Sequence, residues 1–160
     1  MTKPEITHKR DLLPSLFHRK LGRKILMLDI DCLEYQFKHG RIENVAIIDY
    51  KFPNIKNICA DDLSNKVQIN LANQLNIPFF IVITYLDTEE YSIPMFYVIA
   101  MNDIAKNMFA STKKTKFWLS AFGYCRFQHF LRGINIDLER EPELASLSKE
   151  TAEYKLPTIS

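Results

Sequence analysis

The ten residues from Ile77 to Leu86 constrain this chain more than any others. They are almost continuously apolar and rich in Ile, Val, Phe and Tyr. A strand with one face in water alternates apolar and polar residues, and this run does not alternate. It reads as a strand buried on both faces, which requires a sheet with cover on each side. It is too short and too interrupted to span a membrane.

The neighbouring segments supply the rest of such a sheet and its cover. Ile25 to Phe37 reads as a strand, Lys38 to Asn44 as a turn, and Val45 to Phe52 as an antiparallel partner that Pro53 ends. Asp62 can cap a helix reaching about Leu75, with Leu63, Val67, Leu71 and Leu75 spaced for one apolar stripe. Tyr91 to Met101 reads as a further strand. Asn102 or Asp103 can cap a short helix ending near Ala110. A polar link, Ser111 to Lys116, leads to an aromatic helix from Phe117 to Leu131 that Gly133 closes. Upstream, Asp11 to Leu21 reads as a helix with Asp11 as N-cap, Pro14 in its first turn and Gly22 just past its end. Residues 1–10 read as a basic arm. The tail from Asp137 is acidic and reads as mobile or packed late. The expected fold is α/β or α+β, one domain of 160 residues built on a central mixed sheet flanked by helices on both faces.

Charge is unevenly distributed. Residues 1–24 carry seven Lys or Arg against two acids, and residues 104–136 carry six against none. Between them, residues 25–103 carry five against eleven, and residues 137–160 carry three against six. An acidic middle between basic segments suits a metal site beside a phosphate-binding surface, and equally suits ordinary solvated faces. Three widely spaced cysteines, Cys32, Cys59 and Cys125, form no zinc-binding pattern and fit reduced thiols in a cytoplasmic setting. With four glycines and neither GxxxxGK[ST] nor GxGxxG, the chain has no phosphate loop and no organic cofactor is expected.

The candidate chemistry lies in the two strands flanking His39-Gly40-Arg41. Side chains two apart share a strand face, so Asp29 pairs with Asp31 and Asp49 pairs with Lys51. Asp31 and Asp49 stand nine residues either side of Gly40, so a hairpin centred there sets them opposite each other. Three carboxylates and one ammonium can then converge, a set suited to a hard divalent cation and a phosphate. Ionised groups at the end of the apolar stretch Val45-Ala46-Ile47-Ile48 are costly unless paired or metal-bound. Gln68 falls on the helix face shared with Leu71 and Ala72, where a buried amide needs partners. Glu34 falls on the other strand face, towards solvent or a helix. Trp118, Phe122, Tyr124 and Phe127 suit a core face better than a base-stacking one.

An acid on one strand followed by [D/E]-x-K on the next resembles the PD-(D/E)XK nuclease superfamily. Here the signature reads Asp29-Ile30-Asp31 and Asp49-Tyr50-Lys51. The passage Ile25 to Lys51, the preceding His18-Arg19 and Gly22, the helix bearing Gln68, and Leu75-Asn76-Ile77-Pro78-Phe79-Phe80 resemble small phage and bacterial members. Leu28 stands where the family name has Pro, and Asp49 where Glu is commoner. The resemblance implies a restriction-endonuclease-like core, α-β-β-β-α-β, over residues 11–135, and Mg²⁺-dependent DNA cleavage with Mn²⁺ as a substitute. Asp31 and Asp49 would hold the metal, joined by the Tyr50 carbonyl and Asp29. Lys51 would position or activate the attacking water, and Gln68 would support the site. His18, Arg19, Lys113, Lys114, Lys116 and Arg126 are candidate phosphate contacts or plain surface cations. Nucleases of this kind often pair subunits, which admits a homodimer. Two other readings stay open: an inactive binding module on the same scaffold, inhibiting or adapting a nucleic-acid or defence complex, and an interaction protein that dimerises through its aromatic C-terminal helix.

Overall fold

The structure, a computed structural model, describes residues 30–53, 58–85 and 95–152, with the side chains of 150–152 excepted. Five strands form one sheet in chain order: β1 (Cys32–Lys38), β2 (Arg41–Lys51), β3 (Phe79–Tyr85), β4 (Met95–Ala100) and β5 (Lys116–Ser120). β1 and β2 are antiparallel, β2 and β3 parallel, and β4 and β5 each antiparallel to the strand before. A parallel pair needs a crossover. Helix α1 (Leu63–Gln74) supplies it between β2 and β3. Three more helices follow among the described residues, α2 (Asp103–Met108), α3 (Ala121–Leu131) and α4 (Pro142–Ala152).

β3 is fully covered, as its unbroken apolar run requires. Phe79, Ile81 and Ile83 join Ile47, Ile99 and Met101 under Ala72, Ile69 and Leu71 of α1. On the other face, Phe80 and Val82 join Ala46, Ile48 and Val98 under Ala105 of α2 and Phe127 of α3, with Met108, Phe109, Tyr124 and Leu131 packed around them. The mixed sheet with helices on both faces is therefore present. Two strands precede α1 among the described residues.

Buried Asn102 locks the two layers together. Its Oδ1 accepts from Phe79 N and Ala105 N, both at 3.0 Å, which caps α2 and holds the start of β3. Its Nδ2 donates to Ile77 O at 3.0 Å and Asn73 Oδ1 at 2.9 Å.

Several expectations are corrected. The Lys38–Asn44 turn shrinks to His39-Gly40, whose φ angles of 50° and 73° match the two-residue hairpin turns whose twist suits paired strands. Residues 117–131 are not one helix. Phe117 to Ser120 belong to β5, where Phe117, Trp118 and Leu119 pair with Val98, Tyr97 and Phe96. Ser120 then caps α3 by accepting from Gly123 N. Tertiary pairing overrides the helical spacing of the aromatics. The acidic tail carries α4, which packs against α3. In α1 the stripe is misplaced: Leu63 is 67% exposed, Val67 and Leu75 are also exposed, and the sheet-facing side presents Asn65, Gln68 and Ala72. Asp62 takes the N-cap position without a side-chain cap bond. Gly133 follows α3 with φ 63°, as expected. The helix expected at 11–21, the basic arm and the first half of the strand expected at 25–37 lie outside the described residues, as do residues 91–94 of the strand expected at 91–101.

Candidate functional site

The site is built on β2. Odd-numbered residues from Ile47 onward face α1, so Ile47, Asp49 and Lys51 line that side. Tyr50 points to the opposite face, against Tyr124 of α3. Asp49 is only 2% exposed, deep for a carboxylate.

Two partners surround it. Lys51 Nζ lies 2.7 Å from Asp49 Oδ1, and Gln68 Nε2 donates to Asp49 Oδ2 at 3.2 Å from α1. Among the described residues, Gln68 Oε1 is a buried acceptor with no hydrogen-bond donor, and Asp49 Oδ1 has the Lys51 ammonium as its one polar neighbour. Buried acceptors without a donor are rare in folded proteins, which singles out the Gln68 amide. The Asp49 carboxylate and the Gln68 amide oxygen are hard oxygen donors. They fit an oxygen-seeking cation such as Mg²⁺, which keeps much of its water. No group of three His, Cys, Asp or Glu able to hold a metal occurs among the described residues.

Asp31 stands just before β1, and the hairpin register brings the paired strand only as far as Cys32. From Lys38↔Arg41 to Tyr35↔Asn44, the hairpin pairs residues in the register of a two-residue turn. Continued, that register would set Asp31 beside Ile48. Between Glu34 and Tyr35 the register shifts by one, with Val45 the extra residue of a β-bulge. Beyond it, Glu34 pairs with Ala46 and Cys32 with Ile48, where the pairing ends, so Asp31 lies one residue outside the paired strand and is not paired with Asp49. Asp31 itself is exposed.

Behind the strand runs a polar chain that the sequence reading missed. Glu34 Oε2 accepts from Arg132 Nη2 at 2.6 Å. Arg132 Nη1 donates to Gln128 Oε1, Gln128 Nε2 donates to Tyr124 Oη at 2.9 Å, and the Tyr124 and Tyr50 hydroxyls share a 2.6 Å hydrogen bond. Burial pushes both phenols up from their ordinary value of 10.0, Tyr124 the further. Burial also raises the Cys32 and Cys125 thiols, with Glu34 and Asp31 adding to the effect at Cys32. This chain clamps Tyr50, and with it the strand end carrying Asp49 and Lys51, to α3. Its sequence signal was weak: Tyr124, Gln128 and Arg132 at helical spacing, with Glu34 on the helix-facing side of β1.

The other expected site residues scatter. Lys116 shares the Asp49 row, through Asp49↔Ile81, Ile81↔Ile99 and Ile99↔Lys116. Lys113 and Lys114 lie exposed in the turn before β5. Arg126 sits on α3, across the sheet, in a depression with Phe109, Phe127 and Phe130. Asp29, His18 and Arg19 lie outside the described residues.

No family model, curated protein or solved structure matches this chain.

Proposed function

We propose that the chain is a divalent-cation-dependent DNA nuclease of the PD-(D/E)XK type, with a restriction-endonuclease-like core. The observation that carries this reading is a carboxylate buried to 2% exposure, faced by a lysine two residues on and a glutamine from the crossover helix. A core built for stability alone replaces such a group with an apolar one at little cost. Asp49 would hold the cation, assisted by Asp31, which precedes the adjoining strand, and by the Tyr50 carbonyl. Mg²⁺, or Mn²⁺ in its place, supplies Lewis-acid polarisation of a phosphoryl oxygen there. Gln68 holds Asp49 in orientation from behind. Lys51, about a third exposed, can leave Asp49 for the solvent side and meet a phosphate oxygen as a point charge or orient the attacking water. A bacterial or phage origin, a cytoplasmic setting and pairing of subunits belong to the same reading. No helix among the described residues is long and apolar enough to cross a membrane.

The test is cleavage of linear, circular, single-stranded and branched DNA, and of RNA, with Mg²⁺, Mn²⁺ or EDTA. Metal-dependent cutting is expected, and Asp49→Ala and Lys51→Ala should abolish it in folded protein. A Lys51→Ala protein cutting at the parental rate would remove the assignment. One observation favours a second reading, an inactive binding module on this scaffold: Lys51 already neutralises Asp49 at 2.7 Å. Calorimetry beside the cleavage panel separates the two. Mg²⁺ binding and turnover that are both lost in Asp49→Asn support the nuclease. Mg²⁺ binding with no turnover on any nucleic acid supports the module.

A further inference from the structure

β1 is the end strand of the sheet, and the hairpin it forms with β2 runs on past the sheet's body, since β2 meets β3 only from Ile47. Leu33, Tyr35 and Phe37 share one face of β1, and Ile42 pairs with Phe37 on that face. Their exposures are 44%, 60%, 72% and 65%, and none of the four belongs to either core cluster. At about 200 Å² per large side chain, these exposures leave about 500 Å² of apolar surface, as much as the largest patch on an ordinary monomer, and such patches mark contact surfaces. Cys32, Glu34 and Gln36, on the other face, are half-buried. β1 therefore alternates with its apolar residues outward, the reverse of a strand whose free face is made for water.

An end strand carries a row of unpaired N–H and C=O groups, and proteins guard such edges with Pro, bulges or charges. β1 has no Pro or Gly, the hairpin's extra residue lies in β2 at Val45, and Glu34 is turned to Arg132. The sequence of β1 is also complementary to itself. Laid antiparallel on a second copy with Tyr35 at the two-fold axis, it sets Leu33 opposite Phe37, Tyr35 opposite Tyr35 and Glu34 opposite Gln36, so apolar meets apolar and no like charges meet. Centring the pair on Glu34 would oppose two carboxylates. Charge selects the direction: Asp31 precedes the strand, whereas Lys38, His39 and Arg41 gather at its turn. An antiparallel copy brings the acidic end of one strand to the basic end of the other, and a parallel copy would set the cations together.

We infer that β1 is a self-recognition edge: two copies of the chain pair their β1 strands antiparallel about Tyr35 and join two five-stranded sheets into one. The contact uses the same patch on both copies, as a two-fold dimer requires. The row Phe79–Ile47–Leu33 of one copy then runs on into Phe37 and Ile42 of the second. The pairing goes beyond the nuclease reading and does not depend on it.

Sedimentation velocity of the full chain over roughly 1 to 200 µM should show the mass passing from 18.8 kDa to twice that value. Tyr35→Lys opposes two ammonium groups at the two-fold axis and should raise the dissociation constant about tenfold or more. Phe130→Asp, which removes an exposed ring of α3, should leave it unchanged. Cross-linking reads the register. Opposed residues of an antiparallel pair have Cα atoms about 4.5–5.5 Å apart, within disulfide range. Tyr35→Cys should therefore form a disulfide with its own copy under mild oxidation, whereas Phe37→Cys, opposite Leu33, should not. Both are made with Cys59→Ser, which removes the exposed native thiol. Circular dichroism checks that each variant is folded. A parent that stays monomeric overturns the inference and leaves the edge to a strand of another protein. A dimer that survives Tyr35→Lys, that is lost in Phe130→Asp, or that cross-links through Phe37→Cys and not through Tyr35→Cys overturns it as well.

Discussion

Asp49 is buried to 2% exposure and meets a lysine whose side chain is 34% exposed. Breaking a fully buried pair by removing one partner costs about 3–5 kcal/mol, because the remaining charge stays desolvated. Here water reaches the lysine and screens the pair, so Lys51→Met is expected to cost about 1–2 kcal/mol in urea denaturation. Adding Asp49→Asn to that variant should recover part of the loss, a coupling visible in a double-mutant cycle. Asn102 is a harsher position. Its side chain accepts from two backbone amides and donates to a carbonyl and to Asn73. Asn102→Ala strands several buried groups at once and is expected to cost about 2–4 kcal/mol, read from the thermal midpoint. Asn102 was legible in the sequence as one of two candidate helix caps, beside Asp103. Its grip on β3 and α1 was not, because those partners are 23 to 29 residues away.

At the scale of elements, the Tyr50–Tyr124 bond fastens β2 to α3 from the face opposite Asp49. Burial raises both phenols above the unfolded value of 10.0. The folded chain therefore holds these protons where the unfolded chain releases them. Their contribution is fully present below pH 10 and is lost as pH rises from there through the folded values. Stability should fall above pH 10, and in Tyr50→Phe/Tyr124→Phe the fall should be shallower from a lower plateau, as followed by circular dichroism. The bulge at Val45 belongs to this scale too. Centring the hairpin on Gly40 set Asp31 opposite Asp49; in the structure a tight turn followed by one extra residue sets the register, and the pairing ends at Cys32, one residue short of Asp31. Nothing in Asn44-Val45-Ala46 announces that extra residue. It is decided by burial, which turns both Val45 and Ala46 into the same core.

Over the whole molecule, the six cations of residues 104–136 do not form one surface. Lys116 lies in the Asp49 row, whereas Arg126 lies across the sheet and Arg132 is spent on Glu34. Only cations that neutralise phosphates steepen the salt dependence of binding. Lys116→Gln should lower the slope of log affinity against log salt by about one, and Arg126→Gln should leave it unchanged. Equal effects of the two would mean that nucleic acid wraps both faces. The β1–β2 hairpin extends past the sheet, since β2 meets β3 only from Ile47, and it presents Tyr35, Phe37 and Ile42 to solvent.

The sequence by itself determined the local items. The run at Ile77–Leu86 demanded a doubly covered sheet, the spacing of Asp49, Lys51 and Gln68 put them on core-facing sides, and Asn102 and Gly133 marked helix ends. These rest on periodicity and backbone preference, which act over a few residues. Tertiary structure decided the rest: the strand at Lys116–Ser120, the polar side of α1 that faces the sheet, the clamp through Tyr124, and the row joining Asp49 to Lys116. Each depends on which distant segment arrives alongside. Burial and cross-strand pairing set that outcome, and no local pattern encodes it.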